Sequence, residues 1–115
     1  AQPDAVDESG ATALHLAARH KQNKVITELL RNGANPNIRD NDGRTPLHFS
    51  AGLGQYEAVQ ILVEGGAELS PVDDAGYSPL GWARTLKRNG FGDVGGWLEA
   101  RGGEDIRPPE PEEKK

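Results

Sequence analysis

The chain has 115 residues, of which 13 are Lys or Arg and 18 are Asp or Glu, so its formal net charge at pH 7 is −5. Proteins that bind nucleic acid usually carry an excess of Lys and Arg on one face, so this balance argues against a nucleic-acid partner. The absence of cysteine excludes disulfides, thiolate metal sites and a cysteine nucleophile. Apolar residues make up 35% of the chain, and none of their runs is long enough to cross a membrane. Such a chain is expected to fill a thin core or to use a partner.

The dominant feature of the sequence is a repeat with a period of 33 residues. Gly10–Ala18 aligns with Gly43–Ala51 at this interval, and a third copy starts at Gly76. This period, together with the Thr-Pro-Leu-His motif at residues 45–48, resembles the ankyrin repeat family. The resemblance covers about residues 1–105. It implies an all-α solenoid of stacked helix-turn-helix units with hairpin-like fingers between them.

Local signals predict where the first helix of each copy starts. Thr12, Thr45 and Ser78 stand where a hydroxyl can accept a hydrogen bond from the first free N–H groups of a helix. Pro46 and Pro79 follow at the first helical position, where a missing N–H has no cost. The three copies are therefore expected to begin their inner helices at equivalent places.

Apolar spacing and glycines predict the remaining helix boundaries. The inner helix is predicted over about residues 14–20 and again over 47–53. Gly33 and Gly66 lie just beyond the second helix of each copy, where a left-handed C-terminal cap is needed. The residues spaced to form the apolar stripe of that second helix are Val25, Ile26, Leu29 and Leu30, then Val59, Ile61, Leu62 and Val63.

The third copy departs from the other two. Gly81 stands where they have His15 and His48. The resemblance implies that this histidine bonds neighbouring loops, so its absence is expected to mean that no ordinary repeat stacks beyond the third copy. This copy is longer than the period, and its insertion of three residues falls within residues 85–92. The predicted organisation is a repeat domain over 1–102, with repeats at about 1–33, 34–66 and 67–102, and a disordered Pro/Glu-rich tail over 103–115. Trp82 and Trp97 are expected to cover the exposed end of the stack.

No motif predicts catalysis, a cofactor or a metal site. Gly90–Gly95 satisfies the dinucleotide fingerprint, but it follows a helical segment rather than a strand, so the match is attributed to chance. His15 and His48 occupy equivalent repeat positions and need no ligand role, and the spacing of paired zinc-binding histidines is absent. The carboxylates that come closest to a pair are typical turn residues: Asp40, Asp42, Asp73 and Asp74. We therefore expect a protein that is not an enzyme.

The resemblance implies that partners contact the finger tips and the exposed face of the inner helices. Carried over by register, the finger positions are Val6, Glu8, Ser9, Ala11, Arg39, Asn41, Asp42, Arg44, Val72, Asp74, Ala75 and Tyr77. The helix positions are Arg19, His20, Gly52, Leu53, Thr85 and Leu86. Within this set, one half of the groove is predicted to be basic, with Arg19, His20, Arg39 and Arg44, and the other apolar, with Leu53, Tyr77 and Leu86. The predicted ligand is an extended or helical peptide with acidic and apolar parts.

The resemblance thus implies a non-enzymatic protein–protein interaction module, a scaffold or adaptor. A narrower resemblance, carried by residues 51–69 and 82–87, is to plastid ankyrin proteins that sort cargo to thylakoids, such as the ankyrin subunit of the chloroplast signal recognition particle. It implies a sorting adaptor for imported proteins in the chloroplast stroma. Without that narrower resemblance, the expected location is intracellular, in the cytoplasm or the nucleus.

Two alternatives remain open at the level of sequence. One is binding to an anionic lipid or membrane surface through Lys21, Lys24, Arg84, Lys87 and Arg88. The other is an oligomerising structural role, in which the first or third repeat stacks on another chain. Co-sedimentation with liposomes that is lost in salt would favour the first alternative, and a mass that rises with concentration would favour the second.

Overall fold

The computed structural model describes residues 4–86 and 93–109, and every regular element within these residues is an α-helix. The helices in chain order are α1 (Ala13–Arg19), α2 (Asn23–Arg31), α3 (Pro46–Gly52), α4 (Tyr56–Glu64), α5 (Pro79–Leu86) and α6 (Val94–Ala100). They form three antiparallel pairs, and α3 packs against both α1 and α5. The prediction of an all-α solenoid is confirmed.

The inner helices α1, α3 and α5 begin at the predicted caps. The Thr12 hydroxyl accepts a hydrogen bond of 3.3 Å from the backbone N–H of His15, and the Ser78 hydroxyl accepts one of 3.0 Å from that of Gly81. Thr45 is the N-cap of α3, and Pro46 follows it at the first helical position. Each cap satisfies a backbone group that a short helix would otherwise leave unpaired.

Two glycines end the outer helices α2 and α4 as predicted. Gly33 and Gly66 have φ angles of 89° and 102°, in the left-handed region that favours glycine. The N–H of the next residue bonds back to the helix in both places, from Ala34 to the Leu29 carbonyl and from Ala67 to the Leu62 carbonyl. This is the pattern of a Schellman-type cap, which redirects the chain into the finger.

The hydrophobic core is a thin layer between the inner and the outer helices. Its largest fully buried apolar side chains are Leu14, Ile26, Leu47, Val59, Leu62, Leu80 and Leu98. Ile26 and Leu62 are therefore on the buried stripe, as the spacing predicts. Val25 is not, because 42% of this residue is exposed. A helix of only nine residues offers one narrow face to its neighbours, and Val25 lies beside that face.

The segment after α6 differs from its prediction. Residues 103–109 do not leave the solenoid but run along the outer end of the third helix pair. The Ser78 hydroxyl donates to the Glu104 carbonyl at 2.6 Å and accepts from the Ile106 N–H at 3.0 Å, and the Ser78 N–H donates to the Ile106 carbonyl at 3.0 Å. The Glu104 N–H also donates to the Ser70 hydroxyl at 2.8 Å. Composition did not reveal this docking because backbone groups make most of its contacts. The rest of the predicted tail lies outside the described residues.

The two tryptophans do not cover the end of the stack as predicted. Trp82 lies toward the second repeat, where the Cζ atom of Arg44 is 5.2 Å from the centroid of its ring, and its indole stacks on Tyr77 of the third finger, with 4.1 Å between the ring centroids. Trp97 meets Tyr56 of α4 edge to face, with 6.3 Å between the centroids. Both rings thus face inward along the stack, and residues 104–108 cover its end instead.

The insertion predicted within residues 85–92 lies largely outside the described residues, as does half of the Gly90–Gly95 match. In the part of the chain that the structure describes, no helix has the length and apolar character needed to cross a membrane. Within residues 4–86 and 93–109, no group of His, Cys, Asp and Glu side chains could hold a metal ion.

Candidate functional site

Each finger is built around an aspartate that folds its turn. One carboxylate oxygen of Asp7 accepts from the N–H groups of Ser9 and Ala11 at 2.9 and 3.1 Å. Asp40 makes the same pair of bonds to the N–H groups of Asp42 and Arg44 at 2.9 and 3.0 Å. Asp73 repeats it a third time, to Ala75 and Tyr77 at 3.1 and 2.8 Å. Side-chain bonds of this kind are the reason that Asp is favoured in turns.

Several predicted contact residues hold the fingers to one another. The Asn41 N–H donates to the Ser9 carbonyl, and its side-chain amide donates to the Glu8 carbonyl, both at 2.9 Å. The Asp74 N–H donates to the Asp42 carbonyl at 2.9 Å. Arg39 reaches from its own finger to the Val72 carbonyl, with a distance of 2.6 Å from its Nη1. Asn41 and Arg39 therefore already have structural partners, and their contact with a ligand stays a prediction.

Two buried histidines connect the inner helices α1 and α3 with the finger that follows each of them. Nδ1 of His15 accepts the N–H of Thr12 at 3.1 Å, and its Nε2 lies 2.8 Å from the Arg44 carbonyl. Nδ1 of His48 accepts the N–H of Thr45 at 3.0 Å, and its Nε2 lies 2.9 Å from the Tyr77 carbonyl. Because Nδ1 is an acceptor in both rings, the neutral tautomer with a proton on Nε2 satisfies all four groups. Both residues fill the repeat role that the sequence indicates.

His48 is held in its neutral form. Burial lowers the pKa of His48 below its ordinary value of 6.5, although the hydrogen bond to the Tyr77 carbonyl and the negative charge of Asp73 raise it. Arg39 and Arg44 add to the lowering because they repel a protonated ring. A neutral imidazole is the form that the pair of hydrogen bonds requires.

A cleft of about 350 Å³ lies on the concave side of the inner helices. Its lining residues are Arg19, Arg44, His48, Phe49, Gly52, Leu53, Trp82 and Leu86. The sequence-based set contains Arg19, Arg44, Gly52, Leu53 and Leu86 of these. The structure therefore brings together one part of the predicted basic half and one part of the predicted apolar half.

Arginines stand over aromatic rings on two sides of this cleft. The Cζ atom of Arg19 is 5.6 Å from the centroid of the Phe49 ring, and that of Arg44 is 5.2 Å from the centroid of the Trp82 ring. Such cation–π contacts contribute about 0.5–1 kcal/mol at exposed sites and more where water is excluded. The cleft thus combines positive charge with flat apolar surface.

Asp73 has an additional role at the edge of the cleft. Its second carboxylate oxygen, Oδ2, accepts from Trp82 Nε1 at 2.7 Å and from Arg44 Nε at 3.2 Å. Burial by itself raises the pKa of Asp73, but the N–H of Tyr77, the Trp82 indole and the Arg44 guanidinium lower it to a net value below the ordinary 3.8. Asp73 is therefore ionised at neutral pH.

The other predicted positions lie outside the cleft. His20 is exposed at the C-terminal end of α1, and Asp42, Val72 and Asp74 are exposed on the finger tips. Tyr77 lies behind the cleft wall, stacked on Trp82. Of the positions named from the first finger, Ala11 is buried, and Val6, Glu8 and Ser9 are exposed. Partner contacts at all of these residues stay predictions.

Sequence reasoning missed His48, Phe49 and Trp82 as lining residues. A signal was present, because Trp82 follows Phe49 by the 33-residue period and both stand on the concave side of their helices. The sequence also predicted only a turn role for Asp73, and Asp7 and Asp40 occupy the same position in their own copies.

Comparison with known proteins supports the repeat assignment. A family model described as ankyrin repeats (3 copies) matches residues 1–73, which is more than half of the 115-residue chain. A search of curated proteins finds no match to the chain.

Proposed function

We propose that this chain, which belongs to the ankyrin repeat family, binds a segment of a partner protein in the cleft between its inner helices. Ankyrin repeats generally mediate protein–protein interactions and are non-enzymatic modules. The proposed partner segment carries a large apolar side chain next to an acidic group.

The charges of the cleft are the observation that carries this proposal. The whole chain has a net charge of −5, yet the charged side chains among the described residues lining the cleft are Arg19 and Arg44, with no carboxylate among them. A local excess of positive charge on an acidic protein attracts a ligand that carries negative charge.

The apolar lining of the cleft favours a ligand with an apolar side chain. Phe49, Leu53, Trp82 and Leu86 line the cleft together, and 43% of Leu86 is exposed. Trp and Arg are the residue types most enriched among binding hot spots, where a concave apolar surface excludes water from the contact. A ligand that buries an aromatic or branched side chain here gains apolar contact and charge pairing at adjacent points.

Selection of peptides from a random display library on the intact protein tests the proposal. We expect the recovered peptides to share an acidic residue close to an aromatic or aliphatic one. Reversal of the cleft charge by Arg19→Glu should weaken their binding at least about tenfold, a change of about 1.4 kcal/mol. Lys24→Glu is the matched control, because Lys24 is exposed on α2 and is not part of the cleft.

Equal binding of the selected peptides to the parent and to Arg19→Glu would contradict the proposal. Loss of binding in Lys24→Glu instead would move the site to the outer helices. Lys24 is also one of the basic residues proposed for anionic lipid, and co-sedimentation with vesicles of phosphatidylcholine and phosphatidylglycerol would measure lipid binding directly. Arg84 of the same basic set lies on α5 and is paired with Glu99, with 2.6 Å between Nη2 and Oε2. Lys87 and Arg88 lie outside the described residues.

A narrower form of the proposal is a sorting adaptor for imported chloroplast proteins. Its support is the sequence resemblance over residues 51–69 and 82–87. If it holds, the peptides selected on the cleft should resemble targeting segments of imported proteins, and the protein should reside in the stroma. Fractionation of the source cells with an antibody against this chain measures the second point.

A further inference from the structure

Asp73 lies at the point where the third finger, the second finger and α5 meet. Its side chain is entirely buried, while that of Arg44 is 30% exposed. Four donors share its two oxygens: the N–H groups of Ala75 and Tyr77 on Oδ1, and Arg44 and Trp82 on Oδ2. A buried carboxylate with this many donors is fixed in place, and it fixes the groups that donate to it.

The bonds to Oδ2 are specific to Asp73, although the turn that it folds is repeated in every finger. The period of 33 places Ala11 and Phe49 around Asp40 where Arg44 and Trp82 lie around Asp73. Neither Ala11 nor Phe49 has a side-chain donor. Among the described residues, the Asp40 carboxylate therefore bonds only to backbone N–H groups of its own turn, and it does so through Oδ1. Asp73 therefore differs from Asp40 in its bonds through Oδ2 to side chains outside the turn.

The consequence is a rigid wall on one side of the cleft. The Trp82 ring is held at its indole nitrogen by Asp73 and on its face by Tyr77, at 4.1 Å between centroids. Arg44 is held at Nε by the same carboxylate and stands 5.2 Å from the Trp82 ring. Neither side chain has to be ordered when a ligand arrives, which removes a cost of binding.

Because of its contact with Asp73, Arg44 should attract a negatively charged ligand less strongly than Arg19 does. Asp73 compensates Arg44, and a ligand carboxylate at Arg44 would also approach the negative charge of Asp73. No ion pair among the described residues involves Arg19. Attraction for an incoming carboxylate is therefore greatest at Arg19.

We infer that Asp73 is a positioning residue that presents Trp82 and Arg44 as a preformed wall, and that the ligand carboxylate pairs with Arg19. This inference rests on the proposed function and gives the ligand a direction. The apolar side chain lies against Trp82 and Leu86, and the carboxylate lies toward α1.

A spectroscopic test of the positioning role needs no ligand. The chain has two tryptophans, so its nitrogen–proton NMR spectrum contains two indole cross-peaks, which Trp97→Phe assigns. Asp73→Asn keeps an oxygen for the turn but replaces the acceptor at Oδ2 with a donor. We expect the Trp82 indole peak to shift and its proton to exchange faster in Asp73→Asn. It should stay unchanged in Asp40→Asn, which alters an equivalent turn. An equal response to both substitutions, or to neither, would overturn the positioning role.

Two small probes test the direction of the ligand. Phenylpropionate carries an aromatic ring and a carboxylate, and phenethylamine carries the same ring and a cation. We expect phenylpropionate to shift the amide resonances of Phe49, Leu53 and Leu86 in a saturable way, and phenethylamine not to do so. The apparent affinity should fall about tenfold in Arg19→Glu, but less than about twofold in Lys24→Glu.

The two tests separate the possible failures. Equal binding of both probes, or of phenylpropionate to the parent and Arg19→Glu, would overturn the assignment of the carboxylate to Arg19. Absence of any saturable shift would count against the proposed function, while the indole result would still decide the positioning role. If Asp73→Asn does not fold, Trp82→Phe removes the indole donor together with part of the ring system. We then expect it to weaken phenylpropionate binding more than Trp97→Phe does, and an equal effect would overturn the inference.

Discussion

Two kinds of junction follow the inner helices, and they differ in chemistry. His15 and His48 each bond the first turn of their own helix and the carbonyl of the next finger, and we call these contacts the histidine junctions. At the third helix pair, Ser78 and Gly81 meet residues 104–108, and we call this contact the tail junction. The same place in the repeat is thus filled by an imidazole ring twice and by extended backbone once.

Gly81 explains the difference between the junctions. A Cβ atom on Gly81 would collide with the Ile106 carbonyl oxygen and would lie 3.0 Å from the Arg107 side chain. Loss of the histidine side chain therefore leaves the room that the backbone of residues 106–107 occupies. A missing side chain thus makes room for backbone at the place where the other two copies have a histidine ring.

Removing the ring from a histidine junction should have the largest effect on stability. In His48→Ala, the buried Thr45 N–H and the Tyr77 carbonyl lose their partners, and a cavity replaces the ring. We expect a loss of about 2–4 kcal/mol in the free energy of unfolding, measured by denaturant titration. His20→Ala is the control, because His20 is exposed, and it should change stability by less than about 0.5 kcal/mol. A loss in His48→Ala as small as that of the control would show that the ring is dispensable.

The tail junction should break locally, with a smaller effect on overall stability. Gly81→Ala should displace residues 104–108 and expose the Ile106 amide to exchange with solvent, measured by hydrogen–deuterium exchange. The lost hydrogen bonds are partly offset by the gain in helix propensity of about 1 kcal/mol, so we expect a net loss no larger than about 1 kcal/mol.

Gly52→Ala is the matched control for this substitution. Gly52 is also helical, and its added Cβ would meet Leu86 at an ordinary 3.4 Å. It should leave the Ile106 amide protected and keep or raise stability. If Gly81→Ala also left that amide protected, the close approach of helix and tail would not govern docking.

The histidine junctions could be predicted from the sequence, and the tail junction could not. Thr12, His15 and their copies lie a few residues apart in a fixed pattern, so the local caps and the repeat period predict their positions. The tail has no apolar periodicity, and its receptor consists of the Ser70 and Ser78 hydroxyls, the Ser78 N–H and a missing side chain. Composition alone therefore indicates disorder for residues that backbone hydrogen bonds hold in place.

The candidate site also combines residues that the sequence predicted with a role that it did not predict. Register predicted Arg19, Arg44, Leu53 and Leu86, because each follows from the position of its helix or finger in the repeat. The role of Asp73 depends on which side chains the adjacent copies place around it. Arg44 and Trp82 surround Asp73, whereas Ala11 and Phe49 take their places around Asp40. The repeat period predicts which positions meet around each aspartate, but the residues that stand at those positions in each copy determine which bonds form.

The smallest expected effect is on the pH dependence of the free energy of unfolding, which should involve a histidine junction but not the tail junction. The pKa of His48 lies below 6.5 in the folded protein, so below pH 6.5 the unfolded chain takes up a proton that the folded chain does not. This contribution to stability is complete above pH 6.5 and declines as the pH falls toward the lower folded-state value. Asp73 favours protonation of the buried ring, and Arg39 and Arg44 oppose it.

We therefore expect the free energy of unfolding to fall with pH just below 6.5, and the slope to shrink in His48→Ala but not in His20→Ala. Denaturant titrations on either side of this pH measure the slope. The tail junction has glycine in the place of the ring, so it should not depend on pH in this range. The hydrogen exchange rate of the Ile106 amide, corrected for its intrinsic pH dependence, should therefore not rise as the pH falls below 6.5. An unchanged slope in His48→Ala would mean that the ring does not stay neutral. Opening of the tail in step with the slope would mean that the two kinds of junction unfold together rather than independently.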